Sequence, residues 1–494
     1  MSIQSIIGGK TWSSSTVSAL LIPVAIFLLN IILKSLFIDS QDVAMDEPFS
    51  IFYAQHSIPF ILEYFSTAAE NNPPLYHIFL HYWIQLFGIS AFSVRMLSTI
   101  FSALTAVVIY QLGVKFFNRP AAFASALVFS FSTMHIYFAH EARTYTLFAL
   151  LNAVILFSIL SLLRDPQARK HYYRIVLANI ILIYSHYFGF IVIGLEVIIL
   201  IIVRSNSAVW KKMFIVLAAT IIAYIPFIPV LINRYSASVG GTWVAKPDIT
   251  HVYGFINLFL NSKISTIVII SVIAIGIVIA LKQLRLSEVL RTIASNKQMI
   301  VVFSWFIIPY LSMFFVSFWV PMFIDRYILF CSVPLFIFVL VLISLLFSSR
   351  LLQYSALALV VLSLIVTVEL NPSNNRNLRE VVEKIKKLKT KDNLVFISPV
   401  YADYGFTYYY NQKYFEDYRN NKNLMQSEGI YPVDEYENIK DLIASQNKDI
   451  IYLQAGNEYS DPDENLFLAF TKSYAYQKEV YSSGVYQINI FSNQ

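Results

Sequence analysis

Acidic side chains in residues 39–77 are the first candidates for chemistry in this sequence. Six carboxylates lie in this stretch, directly after one apolar segment: Asp39, Asp42, Asp46, Glu47, Glu63 and Glu70. Carboxylates at the edge of a bilayer are costly unless they are paired, bound to a metal or used in a reaction. Pro48 restricts the backbone of Glu47 and can open a helix, which would fix Asp46 just above the membrane surface. We predict a catalytic carboxylate at Asp46, with Glu47 beside it; solvated turn or capping residues are the alternative.

A second candidate cluster lies in the sequence FAHEARTYTLFAL, residues 138–150, in a short turn between two apolar segments. Such turns usually contain Gly, Asn or Ser. Ionisable side chains at the membrane cost free energy, so His140, Glu141 and Arg143 indicate a role beyond connecting the two segments. The guanidinium of Arg143 offers fixed donors that suit a phosphate, and Glu141 can position a metal ion or an acceptor. An internal salt bridge is the alternative.

Two further arginines extend this predicted anion site. Arg326 follows Asp325 in FIDRYILF, residues 323–330, and Arg95 follows the double proline Pro73-Pro74 in the chain. We predict that Arg95, Arg143 and Arg326 share one face of the protein and hold a lipid-linked phosphate. For Arg326, a salt bridge to Asp325 is the alternative.

One histidine is a candidate metal ligand. His186 lies in YSHYFGF, residues 184–190, at a tip between two short apolar segments. A neutral imidazole there could bind a divalent metal together with a carboxylate of the first loop. A lone interfacial histidine that is simply hydrogen-bonded is the alternative.

The composition places these residues in a membrane protein. The chain has 494 residues, 57% hydrophobic and only 13% charged, with a mean hydropathy of +0.61, whereas soluble proteins carry about 25% charged residues. We predict a polytopic α-helical membrane protein with about 11 transmembrane helices. The predicted spans are 17–37, 92–113, 120–138, 144–163, 172–185, 188–203, 213–233, 263–281, 299–320, 327–347 and 352–370.

The basic residues predict the orientation of these spans. The loops that begin near Lys115, Arg164, Arg204 and Lys282 are rich in Lys and Arg and would all lie on one side, which is then cytoplasmic. The N-terminus is therefore predicted to be cytoplasmic, and the acidic loop to face outward. The net charge of +6 thus reflects membrane orientation, and no nucleic-acid signal is present.

The composition changes after Leu370. Residues 376–389 have a helical apolar pattern, 394–399 and 449–453 are typical of buried strands, and residues 481–491 fit a hairpin with Gly484 at its turn. We therefore predict a membrane domain at 1–370, with its first outer loop at 38–91, and a small extracytoplasmic α/β domain at 371–494. The single cysteine, Cys331, excludes an intrachain disulfide.

Several of these motifs resemble one family of membrane enzymes. Asp46-Glu47, PPLYHIFLHYWIQLFG with Arg95, HEARTYTL, SHYFG and DRYILF resemble the GT-C class of glycosyltransferases. Within this class the likeness is to the dolichyl-phosphate-mannose protein mannosyltransferase superfamily. This superfamily includes bacterial members that resemble aminoarabinose and lipopolysaccharide-core glycosyltransferases.

The resemblance implies an activity. A monosaccharide would move, with inversion, from a polyprenyl-phosphate donor to an acceptor hydroxyl at the outer face of the membrane, which in bacteria is the inner (plasma) membrane. Asp46 would be the base and Glu141 the second-loop acid. The donor phosphate would be held by Arg143, Tyr145, Arg326 and Tyr327, together with Arg95.

The same resemblance leaves the metal and the acceptor open. In the aminoarabinose branch a Glu and a His bind a metal, and Glu70 and His186 are the counterparts here, with Glu70 offset by one position. A divalent metal ion is thus an optional cofactor, and no other cofactor is expected because the chain lacks a Gly-rich phosphate loop. The acceptor is a glycan, a lipid or a protein.

Three other classes of function compete with this one. A carrier that flips lipid-linked sugars would place charges near the middle of the bilayer and show a two-fold repeat, whereas here the charges gather at one surface. An outer-leaflet glycan polymerase or ligase is a second alternative. A simple membrane anchor for the C-terminal domain is the third, and it would not need charged outer turns.

Overall fold

The computed structural model describes residues 14–67, 72–239, 244–446, 448–456 and 463–493, and Glu70 lies outside them. These residues form a helical bundle followed by a smaller unit built on one β-sheet. The first helices are α1 (Ser14–Ser35), α2 (Glu47–Ala54), α3 (Ile58–Ser66), α4 (Leu75–Phe87), α5 (Ala91–Phe116), α6 (Arg119–Ser130), α7 (Thr133–Ala139), α8 (Tyr145–Arg164), α9 (Arg169–Ser185) and α10 (Gly189–Ile202).

The bundle continues to Thr367. Its remaining helices are α11 (Ser207–Tyr224), α12 (Ile228–Val239), α13 (Ile249–Phe259), α14 (Lys263–Lys282), α15 (Leu286–Ser295), α16 (Lys297–Val316), α17 (Asp325–Ile328), α18 (Ser332–Leu346) and α19 (Arg350–Thr367). Short 3-10 turns at Ile225–Phe227 and Leu329–Cys331 join α11 to α12 and α17 to α18.

Each of the eleven predicted spans lies on helix, but the count of eleven is not confirmed. In the described part of the chain, seven helices are long and apolar enough to cross a membrane, or eight if the bent pair α6 and α7 forms one span. That pair bends by 56° at its break. The apolar segment Leu20–Ser35 of α1 and the helix α10 (Gly189–Ile202) are shorter than these.

Side-chain caps and close contacts fix where the bundle helices begin and how they cross. The side chains of Ser90 and Asn118 accept hydrogen bonds from backbone N–H groups at the starts of α5 and α6. At the crossing of these helices a Cβ on Gly113 would lie 2.5 Å from the Cβ of Ala122. Only a glycine permits this approach.

The C-terminal unit has a five-stranded sheet in the order β2-β1-β3-β5-β4. Its strands are β1 (Asn393–Ser398), β2 (Ile430–Pro432), β3 (Asp449–Ala455), β4 (Tyr476–Ser483) and β5 (Tyr486–Ser492). β1 pairs in parallel with β2 and β3, while β5 is antiparallel to β3 and β4. The predicted strands at 394–399 and 449–453 and the hairpin with Gly484 at its turn are confirmed, with Gly484 at φ +58.

Helices cover this sheet and complete the C-terminal domain. They are α20 (Leu378–Leu388), α21 (Asp403–Tyr410), α22 (Gln412–Glu416), α23 (Asn421–Ser427), α24 (Lys440–Gln446) and α25 (Asn465–Ser473), with 3-10 turns at Val400–Ala402 and Tyr436–Asn438. Both faces of the sheet are packed, because two separate apolar clusters form around alternate residues of β1 and β3.

Candidate active site

Asp46 stands at the start of helix α2, as the Pro48 pattern predicts. It is the N-cap residue, and Pro48 occupies the first turn. The preceding residue, Met45, has φ +57, a left-handed backbone that is unusual outside glycine. This turn leaves the Asp46 side chain 50% exposed, while Glu47 is buried. Asp46 is therefore accessible to a ligand.

Two arginines from distant parts of the chain converge on Asp46. Its Oδ2 atom lies 3.5 Å from Nη2 of Arg143 and 3.2 Å from Nη1 of Arg326. Arg143 comes from the turn before α8 and Arg326 from the short helix α17. Both guanidinium groups are largely buried, with side-chain exposures of 5% and 19%. One carboxylate oxygen thus already occupies a position where two cations attract an anion.

Neighbouring hydroxyl groups orient these arginines. Arg143 Nη1 donates to Ser50 Oγ at 2.9 Å, and Ser50 Oγ donates in turn to the Asp46 carbonyl at 3.1 Å. Arg326 Nη1 donates to the Tyr145 hydroxyl at 3.4 Å. Tyr327 follows Arg326 and packs against His186 and Phe188. Tyr145 thus contacts the arginine pair through Arg326, whereas the ring contacts of Tyr327 are with His186 and Phe188.

Glu47 and Arg95 have a different role from the predicted one. Arg95 Nε and Nη2 donate to the two carboxylate oxygens of Glu47, both at 2.7 Å, and the pair is buried. The remaining N–H groups of Arg95 donate to the carbonyls of Ile38, Gln41 and Asp42. All five donors of this guanidinium are used inside the protein, so Arg95 holds the first loop instead of a donor phosphate. Glu47 also accepts from the Ala142 N–H at 3.0 Å and is a structural partner rather than a reacting group.

Glu141 lies close behind the Asp46 segment. It lines a cavity with Gln41, Met45, Glu47 and Tyr137. Removal of water raises the pKa of the Glu141 carboxyl to about 7, although Arg326 opposes the shift. The negative charges of Glu47 and Asp46 raise it further. Glu141 thus changes charge near neutral pH, and it lies close enough to Asp46 and Arg326 for their charges to act on it.

The described residues do not fit a metal centre. Burial lowers the pKa of His186 to about 3, so its imidazole is neutral, and Nδ1 accepts a hydrogen bond from the Phe188 N–H. Its ring neighbours are the aromatic residues Tyr145, Phe148, Phe188 and Tyr327. Within the described ranges no group of three or more His, Cys, Asp or Glu side chains could hold a metal ion. The pairing of His186 with Glu70 involves a residue outside those ranges.

Sequence reasoning missed Ser50 and the residues of the C-terminal domain that contact the first loop. Ser50 is an inconspicuous residue one helical turn after Asp46, and this spacing on a helix opened by Pro48 is its only signal. Tyr409 accepts a hydrogen bond from the Val43 N–H across 366 positions of the chain. No local sequence pattern predicts a contact between residues so far apart in the chain.

Comparisons with known proteins agree on the fold. Residues 71–233 match the model of the dolichyl-phosphate-mannose-protein mannosyltransferase family. ArnT from Cupriavidus metallidurans in the apo state superposes with a TM-score of 0.60 at 12% identity, covering 97% of this chain and 99% of ArnT. ArnT bound to undecaprenyl phosphate gives a TM-score of 0.58 at 13% identity, covering 96% and 98% of the two chains.

A more distant likeness extends to an oligosaccharyltransferase. AglB from Archaeoglobus fulgidus, solved with an inhibitory peptide and a dolichol-phosphate, gives a TM-score of 0.51 at 11% identity, covering 96% of this chain and 74% of AglB. No curated protein sequence matches the chain at a significant level.

Proposed function

We propose that this integral membrane protein is a mannosyltransferase-like enzyme of the GT-C superfamily that transfers a monosaccharide from a polyprenyl-phosphate donor to an acceptor hydroxyl at the outer face of the membrane. The observation that carries the proposal is the position of one half-exposed carboxylate, Asp46, between two largely buried arginines, Arg143 and Arg326. The likeness to ArnT, which has been solved with undecaprenyl phosphate, supports a lipid-phosphate donor.

The chemistry follows from these charges. The acceptor oxygen attacks the anomeric carbon while Asp46 accepts its proton, and the sugar–phosphate C–O bond breaks. The bonding electrons leave with the polyprenyl phosphate, whose negative charge Arg143 and Arg326 stabilise. A single displacement of this kind inverts the anomeric centre. The activated phosphodiester is already in the donor, so the protein supplies a base, positive charge and orientation.

The contacts of Asp46 with the two arginines indicate how donor binding would release the base. Asp46 Oδ2 lies within 3.5 Å of both guanidinium groups, where a donor phosphate would bind. The donor phosphodiester carries the same single negative charge as a carboxylate, and its oxygens can accept hydrogen bonds from both guanidinium groups at once. Donor binding would therefore displace Asp46 from the arginines and free it for the acceptor.

The test replaces Asp46 by Asn in cells that depend on this protein for the transfer. We expect turnover to fall by about 10²-fold or more, because a carboxylate base is lost. Mass spectrometry of the cell lipids should show a polyprenyl-phosphate monosaccharide that accumulates with Asp46→Asn and is consumed by the wild type. The accumulated lipid identifies the donor and its sugar, and the glycosylated product missing from these cells identifies the acceptor.

Binding of undecaprenyl phosphate to the purified proteins completes the test. Asp46→Asn should bind it as tightly as the wild type or more tightly, since the competing carboxylate charge is gone. The matched control is Asp39→Asn, an exposed acid of the same loop, which should leave turnover and binding unchanged. Near-normal turnover of Asp46→Asn would remove the base assignment, and weakened phosphate binding would contradict the anion site.

A further inference from the structure

The backbone that leads into Asp46 is held by the C-terminal domain. Asp42 accepts a hydrogen bond from the Arg379 backbone N–H at 2.8 Å, and Arg379 Nε lies 3.5 Å from its other carboxylate oxygen. The Val43 N–H donates to the Tyr409 hydroxyl at 2.6 Å. Ala44 is buried in the apolar cluster of the C-terminal domain, whose members include Leu378, Val381 and Phe406. Three consecutive residues of the first loop are thus fixed by one domain.

The helical bundle holds the same segment from its other side. Arg95 on α5 donates to the carbonyls of Gln41 and Asp42 and forms the buried ion pair with Glu47. Between these two sets of contacts lies Met45 with its φ of +57. A left-handed backbone outside glycine costs of the order of 1 kcal/mol and persists only where the surroundings determine it. The two domains together supply that constraint.

Helix α2 itself packs against the same domain. A Cβ on Gly405 of α21 would lie 3.4 Å from Cγ of Pro48, so the two helices are in close contact beside Asp46. One turn further along, the hydroxyl groups of Tyr53 and Tyr404 are 3.0 Å apart. The start of α2 and the loop before it therefore both pack against the C-terminal domain.

We propose that the C-terminal domain positions the reacting carboxylate, and that Tyr409 and Arg379 are its positioning residues. They fix the backbone of residues 42–44, from which Asp46 projects toward Arg143 and Arg326. Neither residue touches the reacting atoms in this scheme. The inference rests on the proposed function, because it assigns Asp46 the role of base.

The test replaces Tyr409 by Phe, which keeps the ring and removes only the hydroxyl that accepts from the Val43 N–H. Its matched control is Tyr410→Phe on the same helix, where the lost hydroxyl donates to Glu428 inside the C-terminal domain. With the donor that accumulates in Asp46→Asn cells, kcat of Tyr409→Phe should fall about tenfold, because small misplacements of a reacting group are costly. The affinity for undecaprenyl phosphate should stay within about twofold, and Tyr410→Phe should retain the wild-type kcat.

Two readouts separate positioning from a loss of stability. Adding Tyr409→Phe to Asp46→Asn should cause no further loss of turnover, because Tyr409 acts through Asp46. Hydrogen exchange of the amides of residues 43–47 should be faster in Tyr409→Phe than in the wild type and in Tyr410→Phe. Equal kcat values for the two tyrosine variants, or additive losses in the double variant, would overturn the inference.

The failure of this inference and that of the proposed function are distinguishable. If the wild type transfers sugar and Asp46→Asn does not, the function stands whatever Tyr409→Phe does. If the wild type and Asp46→Asn are equally inactive with every polyprenyl-phosphate donor, the function fails.

Discussion

The charge state of Glu141 depends on its burial beside Asp46 and Arg326. Its folded-state pKa of about 7 lies above the ordinary value of 4.5 because surrounding protein removes water from the carboxyl group. Between these two pH values the folded protein keeps a proton that the unfolded chain has lost. The stability that this proton confers is complete below about pH 4.5 and is lost as the pH rises to about 7.

Replacing Glu141 by Gln should remove this dependence, because the amide carries no charge at any pH. The melting temperature of Glu141→Gln minus that of the wild type should therefore grow from pH 5 to pH 8, measured on detergent-purified protein. Asp39→Asn, an exposed acid, provides the control and should show no such trend. A difference that is the same at both pH values would contradict the raised pKa.

Two adjacent acids, Asp46 and Glu47, show how far residue types alone predict a site. The sequence favours Asp46 through the Pro48 pattern, but the burial of Glu47 depends on the left-handed backbone of Met45 and on the opening turn of α2. That turn directs Glu47 to Arg95 inside the protein and leaves Asp46 at the surface between Arg143 and Arg326. The motifs HEARTYTL and DRYILF predict Arg143 and Arg326 at the site, whereas the internal ion pair of Arg95 with Glu47 is visible only in the three-dimensional contacts.

Helices α5 and α6 cross closely where Gly113 meets Ala122. At Gly113 an added Cβ would lie 2.5 Å from the Cβ and 2.6 Å from the Cα of Ala122, and the backbone atom cannot move without shifting a helix. Gly113→Ala should therefore destabilise the protein by about 1–3 kcal/mol, the usual cost of overpacking. Thermal unfolding in detergent measures this loss.

The matched control for this crossing is Gly194→Ala on α10. A Cβ there would meet nothing within 4 Å, and alanine favours helix over glycine by up to about 1 kcal/mol. Gly194→Ala should thus be neutral or stabilising. If Gly113→Ala and Gly194→Ala have the same melting temperature, the close approach of α5 and α6 does not limit stability.

At the scale of elements, hydropathy predicts helices better than it predicts spans. Every predicted span is helical, yet α9 has only 17 residues and carries Arg169, Lys170 and Arg174 near its start, so it is not among the helices that are long and apolar enough to cross a membrane. The break between α6 and α7 is likewise hidden in one continuous apolar run. Periodicity and composition indicate that a segment lies in an apolar environment, but they do not distinguish lipid from neighbouring helices.

Across the whole molecule, the site is assembled from four parts of the chain that no local pattern links. Asp46 comes from the first loop, Arg143 from the turn before α8 and Arg326 from α17, 280 positions after Asp46. The C-terminal domain adds the contacts of Tyr409 and Arg379. Long-range packing of this kind is set by the complete fold, so the sequence predicts the members of the site one by one and misses the contacts that hold them.

The orientation of the whole molecule decides whether Asp46 can meet a donor at the outer face. The basic loops predict that Lys170 is cytoplasmic, and the same count of spans places Lys391 of the C-terminal domain outside. Both side chains are exposed, and the single native cysteine, Cys331, is buried. Lys170→Cys and Lys391→Cys therefore offer two accessible thiols on a chain with little background reactivity.

In cells or spheroplasts with an intact plasma membrane, a membrane-impermeant maleimide should label Lys391→Cys but not Lys170→Cys. Permeabilised cells should show both labelled, and the unsubstituted protein should stay unlabelled because Cys331 is inaccessible. The reverse pattern would place the first loop and the C-terminal domain in the cytoplasm. Asp46 would then face the compartment opposite to the proposed donor and acceptor, and the assignment of an outer-face transferase would be wrong even if the arginine pair binds phosphate.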